Sequence, residues 1–386
     1  MKMQNRFFLY KFILSILAWI VSMVILLCFH GCSYSFGDEE TTLKQLRLLS
    51  LFANVETDTV PNKYLCVSVS YDRELVDFYD EFGLKKGNTD IASRKSLYSF
   101  LKQLENADYK AIALDITFDI PSDSVIDSLL TSQINMMRNI FIVAPSDGYF
   151  KKHIDSQKQV QSNYYINFNE GNFVKYIYQY DDEPRQSMAL QIAVSAEPSL
   201  ASNPERASAI LPLTYVADQH YSTGGVLNWY NLSEDILMIL SSDELKEMCK
   251  DKIILVGDYE DRDIHDTYVG PLPGTVIILN AIECYTKGIC DYGFFSIIVI
   301  AILLYIICLC ISFDVKTAIC RYIHKKWIRL TLNIISITVI LFIIQTIEFY
   351  FSNHFHDFTG IAFWLAIYCW ICEKLYSGNL LKSKGL

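Results

Sequence analysis

The chain has 386 residues, with 43 Asp and Glu against 33 Lys and Arg and a formal net charge of −10. That acidic balance argues against nucleic acid and anionic lipid surfaces as partners, while the length allows a sizeable core. Of the 11 cysteines, Cys28, Cys308, Cys310, Cys320, Cys369 and Cys372 lie in or beside apolar runs, and the rest (Cys32, Cys66, Cys249, Cys284, Cys290) show no CxxC spacing. A disulfide framework is thereby excluded, and a single Cys284–Cys290 bridge is left open.

Lys2, Arg6 and Lys11 fall in a short N-terminal segment, 1–11, ahead of an apolar run at 12–29. A run of this length is expected to cross the membrane as an uncleaved helix. The competing reading is a lipoprotein signal cut before Cys32. Phe29-His30-Gly31 keeps the small residue such a signal needs, but the 18-residue apolar run exceeds the usual core of about 7–15.

Residues 38–53 predict a helix, with Leu43, Leu46, Leu49 and Leu51 on one stripe. After Pro61 the alternating run 64–70 reads as a strand, and 92–106 as a helix. The apolar runs 110–117 and 140–144, with a helix between them at 123–136, have the continuous hydrophobicity of strands buried on both faces. Strands alternating with helices at this spacing predict βαβ units. Segment 148–225, rich in Tyr, Asn and Gln, predicts antiparallel strands and loops around one helix at 186–196. Regular structure returns with a helix at 233–241, a strand at 252–257 and a helix at 275–287.

Three further apolar runs follow, at 294–313, 330–349 and 358–372. The loop 314–329 carries Lys316, Arg321, Lys325, Lys326 and Arg329 against Asp314, whereas the loop after 349 has Asp357 and no Lys or Arg. The tail 373–386 carries Lys374, Lys382 and Lys384. Basic loops stay in the cytoplasm, so the N-terminus, 314–329 and the tail are expected inside and 33–292 outside. The outer segment holds 39 acids and 22 bases, and the remainder 4 and 11. The expected fold class is an α/β extracytoplasmic domain with a mainly parallel sheet, plus four transmembrane α-helices, one N-terminal and three C-terminal. The expected location is the cell inner (cytoplasmic) membrane.

Two carboxylates, Asp115 and Asp119, stand at and just past a strand end, where ligands of open α/β sheets collect. The plainer reading makes Asp115 an acceptor for neighbouring loops and Asp119 the opening of a turn. The stretch from Gly257 to Asp266 contains Asp258, Asp263, His265 and Asp266 but lacks the spacing of an EF-hand loop, so a solvated turn with internal Arg262 pairing is expected. His265 is the best general base available. No Gly-x-Ser-x-Gly elbow, His-Glu-x-x-His or P-loop occurs. His354 and His356, beside Asp357, read as interfacial residues rather than a metal site. The apolar runs contain almost no ionisable group, Gln345 being their one strongly polar side chain well inside, which argues against transport.

In order and spacing these segments resemble the CHASE2 domain, an extracytoplasmic sensor module of bacterial transmembrane receptors. The resemblance rests on the strand ending at Ser70 with Asp72 beyond it, a helix beginning at Arg94, and Ile112-Ala-Leu-Asp115-Ile-Thr-Phe118. It continues through Asn228-Trp229, the run from Lys252 to Gly257, Asp263 and Asp266, Pro273-Gly274 and Asn280. Three departures stand out: Thr89-Asp-Ile-Ala-Ser93 replaces a Trp-Pro pair before the Arg, Thr267-Tyr268 replaces a Thr-Pro, and Ile278-Leu279 replaces a His-Ala.

The resemblance implies an envelope sensor whose ligand contacts are sought among Asp72, Arg94, Asp115, Asp119, Asp258, Asp263, His265 and Asp266. Gly257, Pro273 and Gly274 then shape the turns. Enzymatic activity, a cofactor and a metal are not expected. Such receptors usually continue into a cyclase, kinase or phosphatase domain, whereas here 14 residues follow Cys372. The expected partners are therefore an extracytoplasmic ligand, the lipid bilayer and a separate signalling protein, with no nucleic acid. An envelope docking protein, or an outer-facing hydrolase using His265 with Asp115 or Asp258, are the alternative functions.

Overall fold

The computed structural model describes residues 2–29, 40, 43–45, 62–79, 82–146, 148–161, 164–166, 173–178, 186–202, 210–212, 228–260, 262–288, 294–314, 326–352 and 358–383. The chain divides into an α/β unit, Ser33–Gly288, and a helical unit, Met1–Cys32 with Ile289–Leu386. Most of the expected helix at 38–53 lies outside the described residues, as do Cys32, Cys290, His354 and His356.

After helix α1 (Lys2–Phe29), the α/β unit runs β1 (Tyr64–Ser68), β2 (Arg73–Tyr79), β3 (Lys85–Ala92), α2 (Arg94–Gln103), β4 (Ala111–Leu114), α3 (Ser124–Met136), β5 (Ile140–Val143), α4 (Gly148–His153) and β6 (Gln159–Val160). It continues with β7 (Tyr164–Ile166), β8 (Phe173–Ile177), α5 (Met188–Ala196), β9 (Ile210–Pro212), β10 (Trp229–Asn231), a π-helix at Leu232–Leu237 and α6 (Ser242–Cys249). The closing elements are β11 (Ile253–Gly257), β12 (Ile264–Thr267), β13 (Gly270–Pro273) and α7 (Gly274–Lys287).

Six strands form one sheet in the order β10-β1-β11-β4-β5-β6, and every neighbouring pair in it is parallel. A parallel sheet has to be covered on both faces, and this one is. Leu65, Val67, Ile112, Leu114, Ile254 and Val256 point to one side and share a core with Leu97, Phe100 and Leu101 of α2, Leu130 and Ile134 of α3, and Leu245 of α6. Helices α5 and α7 pack together on the other side, against β4 and β11 respectively. Ala111 and Ala113 in β4 are small enough to let α5 approach. Burying each large aliphatic side chain of such a core contributes about 1.5–3 kcal/mol.

A second, mixed sheet runs β13-β12-β8-β7, with β9 also on β8. Strands β2 and β3 form a separate two-stranded hairpin. Three local readings of the sequence are corrected. The hairpin was not expected, because a ribbon exposed on both faces has no apolar alternation to reveal it. The helix expected at 233–241 is a π-helix at Leu232–Leu237, and α6, which starts at Ser242, was not expected. The segment read as a solvated turn continues into the β12–β13 hairpin, and Arg262 reaches out of it to pair with Asp90 of β3.

Polar residues set several helix ends. Ser93, Asp123 and Ser187 cap α2, α3 and α5 through their side chains, and Ser241 with Glu244 forms a reciprocal capping box on α6. Helix α7 stops at Gly288, whose left-handed φ of 73° suits glycine.

The helical unit contains α1, α8 (Phe294–Ser312), α9 (Lys326–Ser352) and α10 (Thr359–Ser383). Each of the four apolar runs is thus helical. Among the described residues, two stretches, Phe8–Cys28 and Leu330–Glu348, are long and apolar enough to cross a membrane, and Ser296–Ser312 is apolar but shorter. Two indoles bind the helices to each other: Trp19 Nε1 donates to the Ala301 carbonyl at 2.8 Å and Trp364 Nε1 to the Ala18 carbonyl at 3.1 Å. Gln345 is buried among the helices.

Helix α7 is buried along nearly its whole length, and its one carboxylate, Glu283, is matched at the amino end of β1. There Glu283 Oε1 accepts from the Tyr64 hydroxyl at 2.6 Å and lies 2.6 Å from Lys63 Nζ. Truncating Glu283 leaves a buried phenol and an ammonium without their acceptor. Glu283→Ala is expected to destabilise the α/β unit by about 2–4 kcal/mol, and Glu283→Gln by less. Thermal unfolding of the detergent-solubilised full chain measures both.

Candidate functional site

The carboxyl ends of β1, β4 and β11 open onto one edge of the parallel sheet, where segments 69–72, 115–122, 258–260 and 262–263 follow them. This edge is the usual ligand crevice of open α/β sheets. The candidate residues fall into three groups along it.

At the centre, Asp115 follows β4 and its backbone N–H donates to Val256 at 2.8 Å. Its Oδ2 accepts from Thr275 Oγ1, in the first turn of α7, at 3.1 Å. Gly257, ending β11, lies so close to α7 that a Cβ there would overlap the Thr275 hydroxyl. Gly274 plays the same part opposite Asp263, whose carboxylate occupies the place a Cβ would take, and the Gly274 N–H donates to the Asp263 carbonyl at 2.7 Å. Pro273 supplies the extended residue from which α7 starts, at φ −59°. Asp263 Oδ1 is 2.8 Å from His265 Nε2, and the His265 ring meets Phe173 edge-on at 4.9 Å. The hydrogen bond to Asp263 raises the His265 pKa above its ordinary value, burial works against it, and the charges of Asp115 and Asp266 add to the rise. Asp266, one residue on, is exposed.

A second group joins β1 to the π-helix. Asp72 accepts from the Ser233 backbone N–H at 3.1 Å and from the Ser233 hydroxyl. This is an N-terminal cap supplied from a distant part of the chain. Asp258 Oδ1 accepts from Ser70 Oγ at 2.9 Å and from the Glu260 N–H at 3.0 Å. Behind them Trp229 stacks on Tyr259 at 5.5 Å, and the Tyr259 hydroxyl donates to the Leu255 carbonyl at 3.2 Å.

Arg94 and Asp119 form the third group. The Arg94 side chain is wholly buried, with its guanidinium 4.4 Å from the Phe118 ring centre and 5.3 Å from that of Phe150. Nη2 donates to the carbonyls of Thr117 and Ile120 at 3.3 and 3.4 Å, while Nε and Nη1 have no hydrogen-bond partner among the described residues. Burial lowers its pKa to about 10, against the charges of Asp127, Glu74 and Asp119, so it remains a cation at neutral pH. Arg94 fastens the loop after β4 to α2 and offers no surface to a ligand. Asp119 Oδ1 accepts from Ser146 N and Oγ at 2.7 and 2.9 Å, tying that loop to the one after β5.

The structure therefore brings Asp115, Gly257, Asp263, His265, Pro273 and Gly274 together around the start of α7. Asp72 and Asp258 act at the end of β1, and Arg94 and Asp119 hold a neighbouring loop. Sequence reasoning missed Thr275, Ser70 and Ser233, each a small hydroxyl residue whose partner is 160 or more residues away. Only the Asp-rich turn ahead of α7 pointed towards Thr275. Burial pushes the thiol of Cys66 up to about 11 and that of Cys249 up to about 12, so neither is an activated nucleophile. Among the described residues, no group of three or more His, Cys, Asp or Glu is placed to hold a metal ion.

A family model described as CHASE2 domain matches residues 24–310. No curated protein and no solved structure matches the chain.

Two expectations follow from the central group. Gly257→Ala should push α7 off β11 and lower stability by about 1–3 kcal/mol, and adding Thr275→Ala should restore most of the loss. Paired thermal unfolding curves test this. The His265 ring should titrate above 6.5 by NMR in the full chain and fall back in Asp263→Asn. Because the folded-state pKa is raised, the imidazolium stabilises the fold below about 6.5, and that contribution is lost as pH rises through the higher folded value.

Proposed function

This chain belongs to the CHASE2 family, whose domains are extracytoplasmic sensory modules, and we propose that it is a membrane-anchored sensor signalling through a separate protein. It has no enzymatic activity of its own. Residues 33–292 form the sensing domain outside the cytoplasm. The helices at 12–29, 294–313, 330–349 and 358–372 cross the inner membrane, and the basic loop 314–329 meets the signalling partner in the cytoplasm. The loop charges and the apolar stretches support this topology.

The path of α7 is the observation that carries the reading. Its first turn forms the floor of the crevice, through Thr275 on Asp115 and Gly274 against Asp263. Its other end, past Glu283, is where the chain leaves the α/β unit, and six residues separate Lys287 from Phe294. A molecule that binds the crevice in one position of α7 better than in another shifts that equilibrium by its difference in affinity. Helix α7 then delivers the displacement to the membrane segment that follows.

Testing this takes the full chain in cells, with single cysteines at the exposed position 152 and at 325 and, separately, within Phe294–Ser312. Impermeant reagents should label 152 and not 325. Asp115→Asn, which weakens the hold on Thr275, should change the labelling pattern along Phe294–Ser312. Equal labelling of 152 and 325 rejects the topology, and an unchanged pattern along the helix rejects the coupling.

A further inference from the structure

A crevice that regulates a helix needs a group whose state changes with its surroundings. Among the described residues there, His265 is the one whose ordinary titration falls near neutrality. It sits on β12 with Leu272 of β13 opposite it, and its ring meets Phe173 of β8 edge-on. Solvent reaches it, since the side chains of His265 and Asp263 are 29% and 35% exposed.

The charges around the ring come from several elements. Asp263 Oδ1 is 2.8 Å from Nε2, and Asp115, at the end of β4, and Asp266, next along β12, are near enough for their charges to act on the imidazole. Strand β13 and the first two turns of α7 bring no titratable side chain. Phe173 is level with Thr267, and β8 runs parallel to β12, so Lys175 is carried onward, away from His265. Arg262 reaches out to Asp90 of β3.

Two of the three carboxylates also hold α7. Asp115 Oδ2 accepts from Thr275 Oγ1 at 3.1 Å. Asp263 fills the space over Gly274 and takes the Gly274 N–H on its own carbonyl at 2.7 Å. A protonated His265 offsets their charge. A neutral one leaves the carboxylates to repel each other, and neither can shift without disturbing a contact to the first turn of α7.

We propose that proton concentration regulates the crevice, His265 acting as a latch that holds the start of α7 in acid and loosens it as the medium turns alkaline. Its place in signalling rests on the sensor reading, whereas the latch itself is measured at α7. The direction follows from the raised His265 pKa: the imidazolium's contribution is complete below its ordinary value of about 6.5 and is lost as pH rises through the folded value.

The test is hydrogen exchange of peptides covering 272–279 in the full chain, held in phosphatidylcholine nanodiscs and corrected for intrinsic rates. It is run at about pH 5.5 and 8.5, either side of the imidazole range. Protection should fall by about threefold or more between them. His265→Gln should stay at the low, alkaline level at both pH values, and His265→Arg, a permanent cation, should stay near the acid level. His153→Gln, at an exposed histidine on α4, should respond as the unaltered protein does. Thermal unfolding midpoints at both pH values confirm that each variant is folded. Constant protection in the unaltered protein, or an undiminished pH response in His265→Gln, would overturn the latch. A pH response at 272–279 with unchanged cysteine labelling along Phe294–Ser312 would uphold the latch and reject its transmission to the membrane segment.

Discussion

A parallel strand can be joined to its parallel neighbour only by a crossover that carries the chain back along the sheet. With all six strands of the main sheet parallel, every strand delivers its carboxyl end to one edge and every returning element starts there. The crevice residues are collected by this constraint rather than by any local motif. Asp115, Gly257 and Asp72 come from three strands separated by long stretches of sequence, yet they line one rim because their strands point the same way. The same constraint requires cover on both faces, which places α7 against the sheet with its first turn at that rim.

Cover has been achieved with very little clearance. Two glycines, Gly257 and Gly274, mark places where a helix and a strand end, or a helix and a carboxylate, approach too closely for a single methyl group. At the opposite end the Tyr64–Glu283–Lys63 cluster fixes α7 by charge and hydrogen bonding. The helix is thus held sterically at one end and electrostatically at the other. Close-packed interiors of this kind respond to a local push by shifting between discrete arrangements instead of deforming smoothly. Arg94 illustrates the complementary strategy: a cation is sealed between two aromatic rings to anchor a loop whose geometry no apolar side chain of that length would define.

How legible each part was depended on burial. The runs at 110–117 and 252–257 announced themselves because both faces of those strands are covered, which leaves a continuous apolar signature. The hairpin at 73–92 gave no such contrast, since both of its faces meet solvent. Helix α6 was readable in principle from Ser241 and Glu244, whose spacing is that of a capping box, but the apolar pattern at 233–241 drew the expected helix there and left 242–249 unassigned. The four apolar runs were legible from hydropathy and are all helical. For the crevice, the position of Asp115 followed from the strand it terminates. Its partner Thr275 did not, because contacts across 160 residues leave no trace in a single sequence.

The buried thiols have a bearing on the life of the protein. With pKa values near 11 and 12, Cys66 and Cys249 carry on the order of one thiolate in ten thousand or fewer at neutral pH, and they are shielded from oxidants besides. Opening the α/β unit in an oxidising compartment would remove both protections at once and permit mispaired disulfides. Where such mispairing outpaces refolding, the folded state is kept by the slowness of opening rather than by an equilibrium.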